Sequence, residues 1–418
     1  MQVFSNKEGI SACFIKNNRF KSRLLSVRFM LPLKKETATE NAMAAELISS
    51  CSKKYPEPSI LEKELKRLYG ADISATVEKL GDNQVITLYA RSISDELGID
   101  DLPFSRLLDI LYDMLSAPKT EGEAFTNSDT ERIKRIWKEK LASRENEKRI
   151  FAKERMEALL FEGEAYGNSP YGALERVEKA TPESLYKAFR RLITESAVRI
   201  TLTAPEYPEE KINKFLSLLI GGKRHKFQCA EISDNKDKIE KTEKMKVTQG
   251  KLVLGFKLPV MGSDRETAAI AVMGDIFGGG TYSKLFSVVR EKMSLCYYCS
   301  ARTYRRKGLM EVESGVNDEN AEKAKLAIIE QLEELKKGNF EDETLRSSIL
   351  SICESLNSSA DKIATEDGWY GSRMQEELPL SPKEFGEIIK TVSREDVINA
   401  AKGVRHIATY LLKGEDEK

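Results

Sequence analysis

Arg290 and Tyr297 stand seven residues apart in Val289-Arg290-Glu291-Lys292-Met293-Ser294-Leu295-Cys296-Tyr297, a short run behind the glycine turn Gly278-Gly279-Gly280. A guanidinium presents a rigid fork of donors and a phenol one hydroxyl, so the two together suit gripping a carbonyl or carboxylate oxygen. Taken alone, the same pair also reads as a solvated helix arginine and a core tyrosine. Cys296-Tyr297-Tyr298-Cys299 is a Cys-x-x-Cys, but no second such pair completes four zinc ligands and no helix start follows it. In a regular strand the two thiols face opposite sides, so this spacing reads as coincidence. The triple glycine lacks the lysine context and the Gly-x-Gly-x-x-Gly order of a phosphate loop, and reads as a turn. The two histidines, His225 and His406, lie far apart and in no ligand motif. No nucleophile and histidine arrangement is visible.

Positioning these residues takes more than one core, since 418 residues predict two to four domains of ordinary size. Sixty-seven basic and 67 acidic side chains cancel, which leaves no electrostatic footprint for nucleic acid or an anionic membrane and favours a peptide or protein partner. The first residues lack a charged segment followed by an apolar one, and no apolar run is long enough to span a bilayer. Six scattered cysteines are unlike a disulfide framework, so a cytoplasmic, reducing location is expected.

The chain reads as one unit written twice. Leu24 to Pro32 is strand-like, ends in Leu-Pro and leads through Glu36-Thr37-Ala38 into a helix. Lys251 to Pro259 repeats the order, leading through Glu266-Thr267-Ala268 into a helix that ends at Gly278. Amphipathic helices follow in both copies. Each copy then closes with a capped helix start, Thr181-Pro182-Glu183-Ser184 or Ser393-Arg394-Glu395-Asp396, and a final strand. The expected fold is α+β: two duplicated α/β-sandwich-like halves, each a mainly antiparallel sheet with helices packed on one face. The N-terminal half covers 1–230, a charged linker 231–249, and the C-terminal half 250–418.

The duplication, the run Gly278 to Phe286, and Val289-Arg290-Glu291-Lys292-x-x-Leu295-x-Tyr297 together resemble the pitrilysin, insulysin and mitochondrial-processing-peptidase family of zinc metallopeptidases over nearly the whole chain. The segment from Phe161 through Tyr166-Gly167 to Pro170-Tyr171-Gly172 resembles the same family. Within it the likeness is to the zinc-motif-lacking, inactive bacterial subunits of YmfF type. The resemblance implies a clamshell of two halves. In that family the helix after the opening strand carries His-x-x-Glu-His, two zinc ligands and a base. Here Ala42, Ala45 and Glu46 stand at those positions, and a third ligand would fall near Glu139, so no metal ligand set survives. Arg290 and Tyr297 match the family's second-half pair, which implies substrate binding and stabilisation of the oxyanion formed in peptide hydrolysis.

The resemblance therefore implies a subunit that is not catalytic alone: it binds no cofactor itself and supports the zinc of a homologous partner carrying His-x-x-Glu-His. An extended peptide would add as a strand at Ile73-Ser74-Ala75-Thr76-Val77. No nucleic acid or membrane partner is expected, and a homodimer is left open. The alternative reading is a catalytically inactive peptide-binding or scaffold protein of the same fold.

Overall fold

The computed structural model describes residues 2–7, 9–97, 102–373, 376 and 379–415. Two compact units compose it. Unit 1 comprises Met1–Ala142, Asn168–Gln228 and Ala360–Pro379, and unit 2 comprises Ser143–Gly167, Cys229–Ser359 and Leu380–Lys418.

Unit 1 is built on strands β1 (Gln2–Lys7), β2 (Ile10–Lys16), β3 (Ser22–Pro32), β4 (Asp72–Leu80) and β5 (Asn83–Ile93). To these it adds a two-stranded ribbon of β6 (Thr120–Glu121) and β7 (Ala124–Phe125), and then β8 (Ala197–Ala204). Its main sheet runs β1-β2-β8-β3-β5-β4, antiparallel except between β2 and β8. Alternation along β3 sends Leu25, Val27, Phe29 and Leu31 into one apolar core. Helices Ala38–Ile48, Pro103–Ser116, Pro182–Glu195 and Glu209–Leu219 fill that core from the same side. The predicted helix start at Thr181 is present: Thr181 and Ser184 form a reciprocal capping box ahead of Pro182.

Unit 2 repeats the plan with β9 (Ile239–Met245), β10 (Gly250–Lys257), β11 (Cys296–Tyr304), β12 (Leu309–Val316) and β13 (Arg405–Gly414), ordered β11-β12-β10-β13-β9. The pair β13 and β9 is parallel, as β8 and β2 are, so β9 is the counterpart of β2. Helices Asp264–Gly278 and Ala321–Lys336 bury Phe277, Ile328 and Leu332, and Phe277 meets Phe256 edge to face. Ser393 and Asp396 cap the helix Arg394–Lys402 as expected.

The structure corrects the expected boundaries in two respects. Residues 231–249 are not all linker, because Ile239–Met245 is a strand. Its sequence hides this, since an edge strand with most side chains exposed carries Glu240, Lys241, Glu243 and Lys244 instead of an apolar alternation. The halves are also not continuous, since 143–167 joins unit 2 and 360–379 joins unit 1. Each exchanged segment brings one helix, Lys148–Leu160 or Ile363–Gly371, to the second face of the sheet in the unit it joins.

Candidate functional site

Helix Asp264–Gly278 ends where it crosses β11 closely. A Cβ on Gly278 would lie 2.5 Å from the Ala301 amide nitrogen, so only glycine fits. The chain then enters a π-helix, Leu285–Lys292, and Arg290 sits in its last turn. The Met293 amide donates to the Val288 carbonyl at 2.9 Å, five residues back. π turns are rare, and they are frequent at functional sites. Ser294 follows in the left-handed region at φ 50°, a conformation costing about 1 kcal/mol for a residue with a Cβ. The Leu295 amide closes the turn on the Val289 carbonyl at 3.1 Å.

Strand β11 starts irregularly as well. Cys296 pairs with Val316 and Tyr298 with Gly315, so Tyr297 is an extra residue, a β-bulge opposite no partner. Its ring is 60% exposed, and its hydroxyl donates to Asn317 Oδ1 at 3.3 Å. The Arg290 guanidinium is half-buried over the Phe286 ring, 4.4 Å from its centre, with Glu291 3.5 Å from Nε. Among the described residues neither group is held by a buried partner, and the Tyr297 hydroxyl is held only by its bond to the exposed Asn317.

The bulge corrects the reading of Cys-x-x-Cys. Cys296 opposes Val316 and Cys299 opposes Ser314, two positions on one face of β12, so both thiols share a face. The Cys299 thiol hydrogen-bonds Cys296 and, with Ser314 and the Arg290 charge, lowers the Cys296 pKa to about 7 against the opposing effect of burial. The same bond, with burial, raises Cys299 well above the ordinary thiol range.

In unit 1 the helix Ala38–Ile48 places Ala42 and Ala45 fully inside the apolar core. Their methyl groups offer no lone pair, and Glu46 is taken by Lys140 Nζ at 3.4 Å, while Glu139 points to solvent. These residues do not fit a zinc ion. Among the described residues no cluster of three His, Cys, Asp or Glu side chains could hold a metal. Next to them Asn41 donates to Gln84 at 3.0 Å and accepts from Arg191 at 2.7 Å, which fixes the helix through hydrogen bonds. Gly172, at φ 79°, lets the Tyr171 turn close on Thr39, and the Tyr171 carbonyl accepts from the Trp137 indole at 3.1 Å. Ile73, Ser74, Ala75, Thr76 and Val77 lie in β4, at the edge of the main sheet, which pairs only with β5 among the described residues.

The family model described as the peptidase M16 inactive domain matches residues 179–350. Over 421 aligned residues the chain is 26% identical to the probable inactive metalloprotease YmfF of Bacillus subtilis (strain 168), covering 99% of this chain and 98% of that protein. The chain is thus similar to M16-family metalloprotease-like proteins described as inactive. Solved structures share the M16 fold. A conserved protein from Enterococcus faecalis V583 superposes with a TM-score of 0.90 at 24% identity, covering 100% of this chain and 99% of that one. A peptidase M16 inactive domain from Pseudomonas fluorescens gives 0.79 at 18% identity, with the same coverage.

The M16-like chain also holds two buried ion pairs that sequence reasoning missed. In unit 1, Arg28 on the second face of β3 is bound by Asp367, and Ser26 Oγ donates to the same carboxylate at 2.6 Å. A Cβ on Gly371 would strike that guanidinium. Burial opposes the Arg28 charge, but Asp367 outweighs it and raises the pKa. In unit 2, Lys153 reaches Glu157 at 2.6 Å and the fully buried Glu311 at 3.6 Å, with its pKa raised by both against burial. The available signal was a charge flanked by apolar residues, Arg28 between Val27 and Phe29 or Glu311 between Met310 and Val312.

Proposed function

We propose that this chain is the zinc-free subunit of a two-subunit M16 peptidase, and that it contributes Arg290 and Tyr297 to a peptide held at the zinc of a homologous partner carrying His-x-x-Glu-His. The observation that supports this most is the segment Leu285 to Tyr297. There a π-helix, a left-handed serine and a β-bulge carry one half-exposed guanidinium and one exposed phenol. Such backbone is costly and tends to cluster where geometry serves a site. Ala42 and Ala45 give the chain no ligands of its own, which fits a supporting role.

In such an assembly the partner's zinc would polarise the scissile carbonyl and activate water. Arg290 and Tyr297 would donate to the oxygen that becomes negative as water adds, and hold the substrate in line. The unpaired edge of β4 at Ile73 to Val77 would take an extended peptide by main-chain bonds, with little demand on its sequence. A cytoplasmic location belongs to the same reading. The test is to recover the tagged chain from its own cells under mild conditions and identify what accompanies it. A near-stoichiometric homologue bearing His-x-x-Glu-His is the expected result. Recovery of the chain alone, or as a homodimer, would overturn the subunit reading and favour a peptide-binding or scaffold protein.

A further inference from the structure

The bulge at Tyr297 creates a second chemical feature that does not depend on any partner. Removing one residue from the pairing count places Cys296 and Cys299 opposite Val316 and Ser314, so two sulfurs that a regular strand would separate become neighbours on one face. Each thiol is also the foremost influence on the titration of the other, in keeping with their shared face. Disulfides need Cα atoms within roughly 4.4–6.8 Å. Neighbours on one face of a strand lie close to the upper end of that range, roughly 6.4–6.8 Å apart. Exposure divides the pair: Cys296 is half-buried and reachable, whereas Cys299 is 5% exposed. That is the arrangement of an attacking and a resolving thiol. The Arg290 cation stands close enough to favour the Cys296 thiolate.

We propose that Cys296 and Cys299 form a reversible intrastrand disulfide by exchange with a low-molecular-weight disulfide. The Cys296 thiolate attacks one sulfur of the reagent, whose S–S bond breaks and releases one small thiol. Cys299 then loses its proton and attacks the Cys296 sulfur of the mixed disulfide, forming the intrachain bond and releasing the second small thiol. Two protein thiols are oxidised and one small disulfide is reduced to two thiols, so atoms and electrons balance. The bond would tie together the two residues that flank Tyr297 and Tyr298.

The experiment uses the full native chain equilibrated with oxidised glutathione, quenched in acid, alkylated and digested with trypsin. Peptide Met293–Arg302 carries both sulfurs and no internal cleavage site. The expected result is this peptide lighter by two hydrogens and unalkylated, reversed by dithiothreitol, while the buried Cys13 and Cys51 stay alkylatable after unfolding. Cys299→Ser should halt the reaction at a glutathione adduct on Cys296. A circular dichroism spectrum unchanged from the parent chain would show that this variant folds. Two outcomes would overturn the proposal: full alkylation of both thiols in the parent chain, or a glutathione adduct on Cys296 that the parent chain never resolves. Neither outcome bears on whether a zinc-bearing partner exists.

Discussion

The edge hairpins β4–β5 and β11–β12 are built to one plan, each entered from a helix and each pairing on one side only. In unit 1 the approach is an ordinary helix, Pro58–Arg67, a turn at Tyr69 and Gly70, and a ladder unbroken from Asp72 opposite Arg91 to Leu80 opposite Asn83. In unit 2 the approach is a π-helix, the left-handed residue is Ser294, and the ladder takes in an extra residue at Tyr297. One inserted residue lifts a tyrosine out of the pairing and gathers two cysteines onto one face. Regular pairing is interrupted in the unit that carries Arg290 and Tyr297. In the other unit the helix Ala38–Ile48 is hydrocarbon core around Ala42 and Ala45.

The largest expected contrast lies in the ion pairs beneath the two hairpins. Asp367→Ala leaves Arg28 buried without its partner and should cost about 3–5 kcal/mol in denaturant unfolding. Lys153→Met takes a cation from beside the buried Glu311, but that cation is 22% exposed against 2% for Arg28, so its loss should be the smaller. Deleting Tyr297 should make the second hairpin resemble the first. With the ladder continuous, Cys296 still opposes Val316 and now stands two positions from Cys299, so oxidised glutathione should still yield the intrachain disulfide, read by the mass of the tryptic peptide.

At pH 7 about half of Cys296 is thiolate, whereas burial holds Cys353 above the ordinary thiol value, so alkylation of Cys296 should be faster by roughly tenfold or more. The absolute rate at Cys296 should fall as pH drops through 7, because a lowered thiol pKa preserves the anion only above that value, while the advantage over Cys353 should shrink as pH rises and Cys353 begins to ionise. A smaller effect separates the closing strands β8 and β13. His406 on β13 has its pKa lowered to about 4, chiefly by burial and also by Lys238, and Nε2 lies 2.8 Å from the Ala408 carbonyl. The unfolded chain, with its histidine near 6.5, therefore binds the proton first. Stability should decline as pH drops from about 6.5 towards 4, and His406→Gln should flatten that decline in a urea midpoint series.

Much of this was legible in the sequence. The repeat announced itself through Leu-Pro strand ends, paired helix starts at Thr181 and Ser393, and the glycines after Phe277, because capping and turn chemistry act over a few residues. Strand β9 was not legible, since an exposed edge needs no apolar alternation. The shared face of Cys296 and Cys299 was hidden because a bulge breaks the period-two rule on which the reading of that pair rested. Arg28 and Asp367 are separated by 339 positions, a distance no local pattern bridges. Arg290 and Tyr297 were found only through the pattern around them, and their exposure and irregular backbone come from the structure.

The most direct test of the account is turnover by the reconstituted pair with Arg290→Ala in this chain, its assembly checked by light scattering. The account predicts an intact complex whose kcat falls about a hundredfold, the loss typical of one transition-state donor, with Tyr297→Phe behaving alike. Unchanged turnover in an intact complex would contradict it.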